Sequence, residues 1–183
     1  MSKAVKALLI TDMLRDFIDK GAPLEVSGGR DIVVNIQRQI ENARKANMPI
    51  LYCCDRHKKD DTEFRIWPPH AVEGTKGAEI IDALKPQKGD YIIPKTTYSN
   101  FFETTLDSTL KRLGVNHLVL TGVCTNICIL YTAVDAYMRG YHVTVPEDCV
   151  AALTEEDHKF ALRQIKEVLK PRKVSGGYFH ESV

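Results

Sequence analysis

Leu118-Val119-Leu120-Thr121-Gly122-Val123-Cys124-Thr125-Asn126-Ile127-Cys128 is the stretch on which the reading of this chain turns. Its apolar start has the character of a buried strand. Thr125 or Asn126 is of the type that caps a helix, and the first turn of that helix then holds Cys128. A thiol placed after a strand and at the start of a helix meets free backbone N–H groups and the positive end of the helix dipole. Both favour a thiolate. The same N–H groups suit an anionic tetrahedral intermediate. Taken alone, a buried structural cysteine is the commoner reading, so the rest of the chain has to decide.

Outward from this stretch, strand-like apolar runs alternate with helical patterns. Ala7 to Ile10 is a strand that ends at Thr11-Asp12. Asp31 to Ala46 keeps the helical spacing of Ile32, Ile36, Ile40 and Ala43, and Asn47-Met48-Pro49 breaks it. Ile50 to Cys54 is a strand ending at Asp55, and Tyr91 to Pro94 one ending at Lys95. Gly77 to Leu84 has the pattern of a short helix. Leu106 to Leu113 is a helix closed by Gly114. His117 to Thr121 is a strand, followed by a helix from Asn126 to Arg139 closed by Gly140. Tyr141 to Val145 is a strand and Glu155 to Leu169 the last long helix; Arg172 to Ser175 would add a short sixth strand. This alternation predicts an α/β fold, three layers α-β-α around a mainly parallel, roughly six-stranded sheet. With no repeat or linker, residues 1–183 form a single domain.

The chain has 183 residues, enough for one sizeable core. Its net charge of +1 predicts no broad attraction to nucleic acid or an anionic membrane. The N-terminal residues lack a signal-peptide core, and no apolar stretch is long enough to span a bilayer. Five cysteines without a zinc-ribbon spacing point to reduced thiols and a cytoplasmic protein.

Folds of this class bind ligands beyond the carboxyl ends of their strands. Asp12, Asp55, Lys95 and the Cys124–Cys128 turn each follow a strand, so they are expected to converge. Asp12 would take the Cys128 proton and later protonate a leaving amine. Lys95 would stabilise the thiolate and orient the carboxylate. This set suits attack on an amide, a thioester intermediate and its hydrolysis.

A long polar stretch runs from Arg56 to Thr75. Asp55 and His57, two residues apart, project to one side of an extended segment. His70 is placed to join them, with Glu63 as a further candidate. Two imidazoles with one or two carboxylates suit Zn²⁺, Mn²⁺ or Fe²⁺. Lys58-Lys59-Asp60-Asp61 has the look of a solvated loop face. His117, His142, His158 and His180 are assigned surface or packing roles.

With these residues in place, the sequence resembles the isochorismatase-like cysteine hydrolases, which include nicotinamidases and N-carbamoylsarcosine amidases. The motifs are Asp12-Met13-Leu14-Arg15-Asp16-Phe17, Asp55-Arg56-His57, Trp67-Pro68-Pro69-His70 through Thr75, Lys95 with Tyr98-Ser99, and Thr121 through Cys128. They cover roughly Ala4 to Val174. The resemblance implies a catalytic triad of Asp12, Lys95 and Cys128, and an oxyanion hole from the backbone N–H groups of Cys124 and Cys128. It also implies a cis peptide at Val123-Cys124. Asp55, His57 and His70 match a metal site, zinc first, and Glu63 matches a fourth ligand found in some members. Phe17, Trp67 and Tyr98 would wall the substrate pocket. A homo-oligomer, dimer or tetramer, is implied as well. The chain departs from the family at Leu14-Arg15, where Gln-Asn is frequent, and at Leu130 and Ala71, where nicotinamidases usually carry a basic residue and a cysteine.

The resulting expectation is an amidohydrolase acting on a small carboxamide such as nicotinamide, with release of ammonia. A carbamoyl or ureido amidase using the same triad is the alternative. A metal-stabilised small-ligand binding module is the non-enzymatic one.

Overall fold

The computed structural model describes residues 4–169. The segment expected to form a strand at Arg172 to Ser175, and His180, lie outside the described residues.

Among the described residues six strands form one sheet: β1 (Lys6–Thr11), β2 (Ile50–Asp55), β3 (Tyr91–Lys95), β4 (His117–Val123), β5 (His142–Thr144) and β6 (Val150–Ala151). The order is β3-β2-β1-β4-β5, with β6 beside β4, and every pairing is parallel. The helices are α1 (Arg15–Ile18), α2 (Val33–Lys45), α3 (Leu106–Arg112), α4 (Leu130–Met138) and α5 (Glu155–Val168). Among the described residues the last strand is Val150–Ala151, too short to carry an alternation that a sequence could display.

The pleat sends alternate residues of each strand to opposite faces. On one face Leu8, Ile10, Tyr52 and Cys54 pack with Ile36 and Ala43 of α2. On the other Ala7, Leu9, Leu51 and Cys53 pack with Leu106 and Leu110 of α3 and with Ala133 and Ala136 of α4. Leu162 and Ile165 of α5 close that side. A sheet covered on both faces explains why its strands are near-continuous apolar runs rather than alternating ones. The three layers agree with the expectation.

The helix expected at Gly77 to Leu84 is instead two short 3-10 turns, Lys76–Ala78 and Asp82–Leu84. Between them Ile80 forms an isolated antiparallel bridge with Leu14, which draws the segment out. No helix among the described residues is long and apolar enough to cross a membrane.

The chain leaves β1 in one direction across the sheet and returns to β4 on the other side of β1. The carboxyl ends of β1 and β4 therefore flank a topological switch point, where α/β sheets open a crevice. At Gly122, paired with Thr11, the two strands approach closely: a Cβ there would run into the Thr11 backbone, and φ is +110°.

Candidate active site

Four adjacent strands deliver the site. Asp12 follows β1, Asp55 ends β2, Lys95 ends β3 directly opposite Asp55, and the turn after β4 carries Cys128. Asp12 adopts φ +53°, a left-handed conformation that aspartate tolerates better than most residues. Its N–H donates to the Cys53 carbonyl at 2.9 Å, and its Oδ1 accepts the Asp55 N–H at 2.8 Å. These two bonds fix the carboxylate over the end of the sheet.

Lys95 is the hub. Its Nζ lies 2.8 Å from Asp12 Oδ2, 2.5 Å from Asp55 Oδ1 and 3.6 Å from Cys128 Sγ. It also donates to the Thr97 carbonyl at 3.1 Å. All four site residues are buried. Burial opposes the charge on Lys95, yet Asp12 and Asp55 outweigh it and hold the ammonium well above its ordinary range. Burial, then Asp55, pushes Asp12 up to about 6 in spite of Lys95. Burial also lifts the Cys128 thiol well above its usual value, and Lys95 works against that rise. The resting site therefore holds a thiol beside a carboxylate with unusual proton affinity.

The helix after β4 does not open as expected. Thr125–Ile129 forms a π-helical turn that runs into α4, and no side chain caps it. The Thr125 hydroxyl is turned away to a hydrogen bond with His158 Nδ1 of α5, 2.9 Å. His158 is thus tied to the nucleophile turn rather than idle on its helix. The Val123–Cys124 peptide is cis.

Asp55, His57 and His70 place three donor atoms within 4.8 Å of one another. Each imidazole has its Nδ1 engaged: His57 with Asp61 at 3.0 Å, His70 with the Pro68 carbonyl at 2.8 Å. Both Nε2 atoms then face Asp55 Oδ2 at 3.8 Å, too far for hydrogen bonds. His57 Nε2 is buried without a hydrogen-bond partner. Such a set fits a divalent ion, with supporting bonds that orient each ring. Burial works against a charge on His57, but Asp55 and Asp61 raise its pKa to about 9. Burial lowers His70. Glu63 lines the same pocket but lies outside this cluster.

The chain matches the isochorismatase domain over residues 6–172. It belongs to the isochorismatase family. The uncharacterised isochorismatase family protein YaaI of Bacillus subtilis is 39% identical over 170 residues, covering 92% of this chain and 93% of its own. A probable inactive nicotinamidase of Arabidopsis thaliana is 37% identical, with 88% of each chain covered. Among solved structures, the pyrazinamidase/nicotinamidase of Streptococcus mutans is 34% identical at TM-score 0.86, covering 91% of this chain and 98% of that one. N-carbamoylsarcosine amidase of Thermoplasma acidophilum is 34% identical at TM-score 0.82, covering 93% and 99%. The pyrazinamidase of Pyrococcus horikoshii, solved in complex with zinc, is 31% identical at TM-score 0.84, covering 88% and 94%.

Within this isochorismatase fold the site opens into a pocket lined by Asp12, Asp55, His70 and Cys128. Phe17, Trp67 and Tyr98, the expected walls, all line it, together with Leu24, Ile127 and Leu153. Trp67 Nε1 donates to the Tyr98 hydroxyl at 3.1 Å. Two supports escaped the sequence reading. Asp61, assigned to a solvated face, holds His57. Asp16 accepts the Ala71 N–H at 2.8 Å, next to His70. Both act through contacts that loop composition does not display.

Proposed function

We propose that this protein is a cysteine amidohydrolase that converts a small carboxamide of the nicotinamide type into its carboxylate and ammonia. The observation that carries the reading is the Lys95 ammonium in contact with Asp12, Asp55 and the Cys128 sulfur, three residues that line one pocket.

Asp12 takes the proton from Cys128 Sγ, a transfer that its raised proton affinity favours over that of an ordinary aspartate. The thiolate forms a bond to the carboxamide carbon, and the backbone N–H groups of Cys124 and Cys128 hold the oxyanion. Asp12 returns its proton to the nitrogen as the C–N bond breaks, and ammonia leaves a thioester on Cys128. Asp12 then takes a proton from water as the water attacks the thioester. The C–S bond breaks, Asp12 returns that proton to the Cys128 thiolate, and the product acid leaves as the carboxylate, its proton taken up by the released ammonia. Lys95 keeps one positive charge beside both partners throughout and so opposes the burial that disfavours each anion. Asp55, His57 and His70 would hold a divalent ion, zinc first, which would supply a Lewis-acid anchor for a ring nitrogen or a bound water. The structural likeness to N-carbamoylsarcosine amidase supports a second reading, cleavage of a carbamoyl or ureido compound by the same residues.

Ammonia release from a panel of primary amides and ureido acids, with the Cys128→Ala protein as control, tests both. Release from an amide, lost in the variant, is expected. Release from no compound in the panel, with binding retained, would leave a small-ligand binding module.

A further inference from the structure

Tyr98, Ser99 and Asn100 follow β3 outside any strand or helix, and α4 engages each of them. The Tyr131 ring stacks on that of Tyr98, with centroids 5.8 Å apart and planes 21° from parallel. Asp135, one turn further along α4, accepts a hydrogen bond from the Ser99 hydroxyl at 2.5 Å. Thr132 Oγ1 accepts the Asn100 N–H at 3.0 Å. All three side chains belong to the helix that continues directly from the turn carrying Cys128. One element therefore bears the nucleophile and braces the segment that follows Lys95. The two polar bonds fix Ser99 and Asn100, but the part of this segment that walls the pocket is the Tyr98 ring. Two side chains engage that ring: Trp67 through its N–H to the hydroxyl at 3.1 Å, and Tyr131 through the stack. Tyr131 itself lines no part of the pocket and is 50% exposed. A half-exposed aromatic on a helix is ordinarily a surface residue. Here an offset stack gives it a partner, and the partner is a pocket wall.

We propose that Tyr131 is a positioning residue that braces the Tyr98 ring and, through the Tyr98 hydroxyl, the Trp67 indole, so that this wall keeps its place relative to Cys128. What the wall does for a substrate rests on the amidohydrolase reading; how the wall is held does not. Without the Tyr131 ring, Tyr98 can swing outward into the space it filled and take the acceptor of the Trp67 N–H with it. Asp12, Lys95 and Cys128 stay where the strand ends and the turn before α4 put them. The loss is then one of binding shared by substrate and transition state, which raises KM and leaves kcat. The stack needs a ring and not a hydroxyl, so phenylalanine at this position serves as well.

Trp67 is the single tryptophan of the chain, so its fluorescence reads the state of the wall without any ligand. Acrylamide quenching of the full chain is compared with that of Tyr131→Ala and Tyr131→Phe, alongside steady-state ammonia release from nicotinamide. Tyr131→Ala should raise the quenching constant by about half or more and KM by about threefold to tenfold, the worth of one aromatic pair, with kcat within about twofold. Tyr131→Phe should restore all three to the values of the unaltered chain. Where loss of apolar surface keeps Tyr131→Ala from folding, Tyr131→Leu, apolar but without a ring, takes its place with the same expected changes. Quenching unmoved by loss of the ring would overturn the brace and keep the hydrolase. So would Tyr131→Phe that is as damaging as Tyr131→Ala. A fall in kcat at unchanged KM would overturn it too, because Tyr131 would then act on the Cys128 turn. If nicotinamide is not cleaved, that arm of the hydrolase reading falls, and the quenching alone decides the brace.

Discussion

Lys95 Nζ lies 3.6 Å from Cys128 Sγ, at the junction of the end of β3 with the turn after β4. The contact joins two segments from opposite sides of the sheet centre and gives the thiol a cation that its burial would otherwise deny it. Cys128→Ala should lower turnover at least about a thousandfold with the fold retained, as for loss of a covalent nucleophile. Cys124→Ala, which keeps its backbone N–H, should cost no more than about tenfold. Steady-state ammonia release and circular dichroism of both variants check this.

Asp12 must be ionised to accept the thiol proton. Burial and Asp55 raise its pKa from 3.8 to about 6. Below that value the group is protonated and cannot act as base, so kcat/KM should rise with pH through a midpoint near 6. A flat profile between pH 5 and 7 would count against the role. Lys95→Met should move the midpoint upward. It should also destabilise the fold by about 3–5 kcal/mol in denaturant titration, because two buried carboxylates lose their partner.

His57, raised to about 9 by Asp55 and Asp61 against its burial, is protonated at neutral pH without an ion. A histidine ligand must be neutral. Zinc binding should therefore release close to one proton from His57 at neutral pH, and affinity should climb as pH rises toward 9. Calorimetry in buffers of different ionisation enthalpy measures that proton. Asp61→Asn weakens the hydrogen bond to His57 Nδ1 and should cost about 10–100-fold in zinc affinity.

The parts of this molecule that sequence displays are those set by local pattern. Apolar runs ending at Asp12, Asp55 and Lys95 marked the strands, and the rule that α/β sheets bind beyond their strand ends brought those residues together with Cys128. What stayed hidden depends on contacts distant in sequence. Thr125 has the makings of a helix cap, but its hydroxyl is drawn to His158, and the turn opens with π geometry instead. Asp61 sits in a run of charges whose composition says solvent, while its carboxylate points at an imidazole four residues back. The apolar spacing of Gly77 to Leu84 imitates a helix, but Ile80 is drawn out into a bridge with Leu14 between two short 3-10 turns.

His158 offers a test of that hidden layer. Its ring is bonded to Thr125, three residues before the nucleophile, and it lines no part of the pocket. His158→Ala should lower kcat by roughly tenfold with KM little changed, since it loosens the turn that carries Cys128 without touching the substrate walls. An unchanged kcat would reduce the bond to packing.

Gly122 sets the distance between β1 and β4, and hence between Asp12 and Cys128. Its φ of +110° is one that side chains rarely adopt, and any Cβ would meet the Thr11 backbone, which cannot rotate away as a side chain can. Thr11 is immediately followed by Asp12, so strain introduced there is transmitted to the proposed base. Gly122→Ala should therefore act twice. It should cost about 3 kcal/mol or more of stability, from a disallowed conformation added to a backbone collision. At temperatures where the variant is still folded, it should also depress kcat through misplacement of Asp12 relative to the thiol. Gly28→Ala is the control: its Cβ would stand 3.5 Å from that of Ala151, ordinary contact, and its φ lies outside the left-handed range. Thermal unfolding of the two variants side by side should show a large drop in Tm for Gly122→Ala and a small one for Gly28→Ala. Equal drops would mean that the close approach of β1 and β4 does not set the geometry of the site.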